Sequence, residues 1–127
     1  MAIIAQAENF LEPEATRKEC VVIVWTPLAT GDTGTPIRYS EFADRSIHIT
    51  GALAGSTASV QGSNDVTSPT NWFTLTDTTE TDILKTVTDV GEQVLQATAW
   101  IRPIVTGGAA TTVTFKLFLR RGRGRTL

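Results

Sequence analysis

The chain has 127 residues, the usual size of one domain, and it is rich in Thr, Val, Ala and Gly, which favours strands and turns over a helical bundle. Its only cysteine, Cys20, excludes an internal disulfide and a cysteine-ligated metal site. No stretch approaches the roughly 18 to 20 continuous apolar residues of a membrane-spanning helix, and no basic region precedes the apolar patch at the N-terminus. We therefore expect a soluble protein without a membrane partner or a secretory signal.

The net charge of −2 conceals an asymmetry along the chain. Residues 1–119 carry thirteen acidic and seven basic side chains, whereas the last eight residues carry four arginines and no acidic group. A basic tail on an acidic body can bind carboxylates of another protein through bidentate guanidinium contacts. We do not expect nucleic acid as a partner, because nucleic-acid binders carry a broader basic face. A solvated tail without a partner remains the alternative. The arginines are Arg120, Arg121, Arg123 and Arg125.

Residues 1–19 are predicted to form an extended arm. Pro13 interrupts any continuous helix, which leaves room for one helical turn near residues 14–19. Four large apolar side chains favour docking of this arm on another surface, and a disordered leader is the alternative. These side chains are Ile3, Ile4, Phe10 and Leu11.

Short strands separated by turns are predicted along the middle of the chain. The β-branched run at residues 20–25 indicates a buried strand, and a turn-rich loop follows at residues 28–36. Alternating apolar residues predict a strand at residues 46–53. Strands at residues 57–61 and 72–76 flank a polar loop whose Ser, Asn and Asp residues favour a turn, which predicts a hairpin.

Residues 82–96 are ambiguous, and we predict a strand at residues 83–87 followed by a short helical turn at residues 92–95. Residues 98–121 then predict a long hairpin closed by Gly107-Gly108. Pro103 cannot donate to a sheet ladder, so the first strand suits an edge or a bulge. The second strand alternates clearly. Its predicted buried side chains are Val113, Phe115, Leu117 and Leu119.

The fold class predicted from this pattern is all-β, a single-domain antiparallel β-sandwich of the jelly-roll or immunoglobulin-like kind. The sandwich occupies residues 20–121. The extended N-terminal arm at residues 1–19 and the basic C-terminal tail at residues 122–127 flank it.

Candidate catalytic and metal-binding motifs do not support an enzyme. The triplet Asp32-Thr33-Gly34 occurs in aspartic proteases, but Thr30-Gly31 precedes it in place of an apolar strand, so we interpret it as a surface turn. His48 is the only histidine, and no serine lies in a nucleophile elbow. Oxygen side chains of the polar loop lack the regular spacing of a calcium site. We expect no catalytic residue, cofactor or metal.

The three tryptophans have two interpretations. Trp25, Trp72 and Trp100 can anchor a core or an interface, or they can offer ring faces to a sugar. We favour the first interpretation.

Two segments, SVQGSNDVTSPTNWFTLTD and AWIRPIVTGGAATTVTFKLFLRR, resemble those of small tailed-bacteriophage virion proteins, most closely the capsid decoration or cement proteins. The resemblance covers about residues 57–121. Val66 stands where a glycine is common, and an SPT insertion precedes Asn71.

The resemblance implies a non-enzymatic protein that binds the outside of the assembled shell and stabilises contacts between major capsid protein subunits. It implies a symmetric oligomer, a dimer or a trimer, made in the bacterial host cytoplasm and located on the virion exterior. The capsid-binding candidates are the four apolar arm residues and the four tail arginines named above. Another virion role, in the tail or in head completion, suits the same fold.

The GSND and NW residues also resemble a hairpin of discoidin-like carbohydrate-binding sandwiches. This second resemblance implies glycan binding as an alternative function. Its ligand-binding candidates are Asn64, Asp65, Asn71 and Trp72.

Overall fold

The structure, a computed structural model, describes residues 2–10, 20–39 and 41–121. Within these ranges the chain is all β, with eleven strands and no helix. The strands form two sheets that pack face to face. The predicted antiparallel β-sandwich is therefore confirmed.

The first sheet, sheet A, has the strand order β1–β4–β10–β6–β7, and β8 also pairs with β6. All of its pairs are antiparallel except β1 with β4, which is parallel. Its strands are β1 (Ile3–Ile4), β4 (Thr33–Gly34), β6 (Thr57–Ser63), β7 (Phe73–Thr74), β8 (Leu84–Lys85) and β10 (Trp100–Thr106).

The second sheet, sheet B, has the order β2–β3–β11–β5–β9, and all of its pairs are antiparallel. Its strands are β2 (Gln6–Phe10), β3 (Cys20–Leu28), β5 (Asp44–Thr50), β9 (Val90–Val94) and β11 (Val113–Arg120).

The core lies between the two sheets and is built from alternate residues of the long strands. In β11 the four predicted side chains from Val113 to Leu119 are fully buried, which confirms that alternation. Ile101 and Val105 of β10 face them from sheet A. Burying such side chains contributes about 1.5–3 kcal/mol each, so these two strands supply much of the apolar driving force.

The predicted hairpin of residues 98–121 is wrong. β10 pairs with β4 and β6 in sheet A, whereas β11 pairs with β3 and β5 in sheet B. Gly107-Gly108 therefore carries the chain from one sheet to the other. The crossing is anchored by hydroxyl groups of Thr30 and Ser56, which donate to the Gly107 carbonyl at 2.7 and 2.6 Å.

Pro103 lies on an interior strand and not at the predicted edge, since β10 is flanked by β4 and β6. The neighbouring backbone donors on the β4 side bind normally, Ile101 N to Ile37 O at 3.1 Å and Val105 N to Asp32 O at 3.2 Å. Pro103 falls between these two bonds. The pairing on this side of β10 links Ile104 to Thr33 and Ile101 to Ile37 and does not include Pro103, so the missing N–H interrupts no ladder bond there.

The predicted helical turn at residues 92–95 is also wrong, because β9 continues sheet B beside β5. Val94 is buried, and Glu92 forms an ion pair with Lys85 at 2.6 Å.

The predicted hairpin around the polar loop is confirmed, since Gln61 pairs with Thr74 across β6 and β7. The strand predicted at residues 83–87 is confined to β8.

Residues 2–10 carry β1 and β2, which complete the edges of both sheets. β1 pairs with β4 in sheet A, and β2 pairs with β3 in sheet B. Asp32 fixes the start of this segment by accepting a hydrogen bond from Ala2 N at 2.9 Å. The rest of the arm, residues 11–19 with Leu11, and the tail, residues 122–127 with Arg123 and Arg125, lie outside the described residues.

Candidate functional site

The outer face of sheet A carries two pairs of tryptophan and arginine. The guanidinium carbon of Arg102 lies 4.1 Å from the ring centroid of Trp72, and that of Arg38 lies 5.1 Å from the ring centroid of Trp100. Such stacked pairs contribute about 0.5–1 kcal/mol each at exposed sites. We call these four residues the Trp–Arg surface.

The alternation of β10 places this surface on the outside of the sandwich. β10 buries Ile101, Pro103 and Val105, so Trp100 and Arg102 point away from the core and are half-buried. Residues two apart on a strand lie about 7 Å from each other on one face. The two pairs are therefore neighbours on the same face.

A cross-strand hydrogen bond fixes the orientation of Arg102. Gln61 lies directly opposite on β6, and its Oε1 accepts from Arg102 Nε at 3.0 Å and from Nη2 at 2.8 Å. The plane of the guanidinium is thereby held by Gln61 while the ring of Trp72 lies against it. This arrangement reduces the side-chain entropy that Arg102 has to lose on binding a partner.

Neither arginine of the Trp–Arg surface has a carboxylate partner within the described residues. The ion pairs found there involve other basic groups: His48 with Asp89, Lys85 with Glu92, Arg120 with Asp44, and Arg121 with Glu41. Burial lowers the pKa of Arg102 from its ordinary value, but a guanidinium remains protonated at neutral pH. Two uncompensated positive charges therefore lie on one face of an acidic protein.

The polar loop between β6 and β7 supports this surface from one side. Trp100 Nε1 donates to the carbonyl oxygen of Asp65 at 3.0 Å, and Ala99 N donates to Asn64 Oδ1 at 3.0 Å. The Asp65 carboxylate accepts from the backbone amides of Asn71 at 2.9 Å and Thr70 at 2.7 Å. The loop is thus closed on itself and attached to β10 next to Trp100.

The predicted glycan-binding residues are brought together, and several of their hydrogen-bonding groups are used within the protein. Asn64 Oδ1 binds the backbone of Ala99, and the Asp65 carboxylate binds Thr70 and Asn71. The ring of Trp72 is stacked with Arg102. These residues therefore build and hold the loop.

The backbone hydrogen bonds from Asn71 and Thr70 lower the pKa of Asp65 from 3.8 to about 2. A depressed folded-state pKa means that the ionised carboxylate stabilises the loop above pH 3.8, and that this contribution is lost as the pH falls towards 2. We expect Asp65→Ala to expose the amides of Thr70 and Asn71 to hydrogen exchange at neutral pH. Protection factors measured by NMR would test this, with wild-type protection disappearing only near pH 2. Equal protection of both amides in the variant at neutral pH would contradict the assigned role.

Among the described capsid-binding candidates, Phe10 and Arg120 lie on sheet B, away from the Trp–Arg surface, whereas Ile3 is in register with Thr33 and Ile104 on sheet A. Arg120 binds Asp44 at 2.7 Å on sheet B, and Arg121 approaches Glu41 at 3.4 Å. The hydrogen bond that Arg120 donates to the Asp44 carboxylate raises the pKa of Arg120. On the arm, Ile4 packs against the core, whereas Ile3 and Phe10 remain exposed. The two described arginines are thus already engaged with the body.

Sequence reasoning missed Arg38 and Arg102 as members of a site. The run Trp-Ile-Arg in β10 contained a usable signal, since its first and third residues must share one face of a strand. Arg38 gave no comparable signal. It reaches Trp100 only because Ile37 forms a bridge with Ile101.

The remaining candidates serve the fold. Asp32 closes a turn by accepting from Ala29 N at 2.9 Å, as the predicted turn requires, although Thr33 and Gly34 beyond it are buried in β4. His48 is exposed on β5, as expected, beside Asp89. Within the ranges that the structure covers, no group of three or more His, Cys, Asp or Glu side chains could hold a metal ion. The same ranges contain no helix able to cross a membrane.

No protein-family model, no curated protein and no solved structure matches this chain.

Proposed function

We propose that the chain is a non-enzymatic capsid decoration protein of a tailed bacteriophage, which binds the outside of the assembled shell and stabilises contacts between major capsid protein subunits. The proposal rests mainly on the Trp–Arg surface. Tryptophan and arginine are the residues most enriched among those that dominate binding energy in protein interfaces. Trp72, Trp100 and Arg102 also fall inside the two segments that resemble decoration proteins.

The proposed mechanism is stabilisation by mass action. A protein that binds only the assembled shell shifts the equilibrium between shell and free subunits towards the shell. A contact of roughly 1,600 Å² is the usual scale for such docking. Because sites on a shell repeat with its symmetry, a symmetric dimer or trimer on the virion exterior is part of the proposal.

The rival functions receive less support from the geometry. In a glycan-binding site the predicted polar ligands beside Trp72 would be Asn64 and Asp65, but Asn64 Oδ1 and the Asp65 carboxylate already accept hydrogen bonds within the protein. A role in the tail or in head completion would use the same docking surface on another virion protein. Locating the chain in purified virions separates these roles.

The decisive experiment uses shells purified without the protein. We expect the added chain to bind these shells at a fixed number of copies per shell and to raise their melting temperature, while dissociated capsid subunits bind none of it. Removal of residues 122–127 keeps every described strand, so this variant tests the tail without disturbing the fold. Removal of residues 1–19 deletes β1 and β2 and is the less clean test. Virions that contain none of the chain, or shells that fail to bind it, would exclude the proposal.

A further inference from the structure

Arg102 and Arg38 present hydrogen-bond donors that the described residues do not use. A guanidinium has five N–H donors, and Arg102 commits Nε and one N–H of Nη2 to Gln61. Arg38 stacks with Trp100 and forms no hydrogen bond or ion pair with any residue that the structure describes. The unused donors therefore remain available to an external acceptor next to the tryptophan rings.

The outer face of sheet A continues the surface with apolar side chains. Ile104 follows Arg102 on the same face of β10, and Ser59 lies between Ile104 and Leu84 across the sheet. Leu84 is 51% exposed. Along β10, the outer face of sheet A is therefore cationic near Arg102 and apolar near Ile104 and Leu84.

We propose that the Trp–Arg surface binds an extended, carboxylate-rich segment of the partner protein, with the carboxylates on Arg38 and Arg102 and apolar side chains on the tryptophan rings and Leu84. This inference rests on the proposed function, since it assigns the partner to the shell. A segment in the extended conformation repeats its side chains every two residues at about 7 Å, which equals the spacing of Trp100 and Arg102 along β10. A segment whose acidic side chain lies on Arg102 therefore places its side chain two positions away at Trp100, where the guanidinium of Arg38 also lies.

Charge complementarity selects carboxylates over other ligands. Carboxylates accept two parallel bonds from a guanidinium, and such charge-assisted bonds are roughly twice as strong as neutral ones. The half-buried position of Arg102 strengthens the attraction, because part of the surrounding water is excluded.

A single-stranded nucleic acid is the competing ligand for alternating tryptophan and arginine. It carries a phosphate at every nucleotide and needs a continuous basic groove. The body of this chain does not provide one, since residues 1–119 hold thirteen acidic and seven basic side chains. A short segment with a few carboxylates meets only the two local cations and avoids that repulsion.

The test uses the full chain and a short synthetic peptide of alternating glutamate and threonine, with the glutamine version of the same peptide as the uncharged control. We expect fluorescence anisotropy to detect binding of the glutamate peptide, weakening with added salt, and no binding of the glutamine peptide. Arg102→Gln should weaken binding about tenfold, the scale of one charge-assisted contact. Lys116→Gln removes an equal charge from the exposed face of sheet B and should change binding less than about twofold.

Circular dichroism verifies that the variants fold. If Arg102→Gln does not fold, Arg38→Gln, at an exposed position, provides the second test. Equal loss in Arg102→Gln and Lys116→Gln would overturn the inference, as would absence of peptide binding. Tighter binding of an oligothymidylate with the same number of charges would assign the surface to nucleic acid instead.

The two proposals fail separately. If shells bind the wild-type chain and the Arg38→Gln/Arg102→Gln chain equally well, the decoration function stands and this docking surface is wrong. If the peptide binds as expected but shells do not bind the chain, the surface stands and the decoration function is wrong.

Discussion

Arg45→Ala is expected to destabilise the protein by about 3–5 kcal/mol, because it creates a cavity and leaves buried carbonyl groups without donors. Arg45 is only 2% exposed and points into the sandwich from β5. Its Nε donates to Phe42 O at 2.9 Å, and its Nη2 donates to Thr98 O at 2.9 Å and to Tyr39 O at 3.2 Å. Urea denaturation monitored by tryptophan fluorescence measures the loss.

Arg120→Ala is the matched control for this variant. Arg120 also lies on sheet B, but it is exposed and pairs with Asp44 in solvent, so its loss should cost far less stability than the loss of Arg45. The difference between the two variants isolates the effect of burial. If both variants lose the same stability, the guanidinium of Arg45 does not hold the end of the sandwich together.

Arg45 also illustrates what alternation in a sequence does and does not predict. The alternation predicted for residues 46–53 places Ile47 and Ile49 on one face of the strand, and Arg45 lies on the same face, two residues before Ile47. The positive charge of Arg45 favours an exposed position, because burying an unpaired charge is costly. Three carbonyls offset that cost: those of Phe42 and Tyr39 in the preceding loop and that of Thr98, which is distant in sequence. The alternation of β5 predicts neither the direction of these carbonyls nor the position of Thr98.

Alternation predicts which side chains of a strand are buried but not which strand lies beside it. The buried face of β11 was predicted correctly, yet its neighbours are β3 and β5 and not β10. A glycine turn between two strands is typical of a hairpin. It serves equally well to cross between two sheets, because both connections require only a sharp reversal.

The Trp–Arg surface was predicted only in part, because its residues come from elements whose pairing the sequence does not predict. Trp72 and the polar loop were singled out from side chains that are neighbours in sequence. Arg102 could have been added from the alternation of β10, whereas Arg38 depends on the pairing of Ile37 with Ile101. The sequence therefore predicts the components that lie on one element, and the tertiary pairing decides which elements meet.

Gly108→Ala is expected to destabilise the protein by about 2–3 kcal/mol more than Gly107→Ala, because overpacking against fixed backbone adds to the strain of a left-handed conformation. The two glycines have similar φ angles, 69° for Gly107 and 60° for Gly108. An added methyl group at Gly107 would meet nothing within 4 Å, so this variant carries the conformational cost of about 1–2 kcal/mol alone.

An added methyl group at Gly108 would instead overlap the backbone of Gly55 and Ser56. Backbone cannot rotate away as a side chain does, so the crossing between the sheets would have to separate from the loop that holds it. Ser56 donates to the Gly107 carbonyl at 2.6 Å, and this bond would be lost in the same movement. Thermal unfolding of both variants measures the difference. Equal melting temperatures for Gly107→Ala and Gly108→Ala would mean that the sheets are joined at this end without close contact between the two loops.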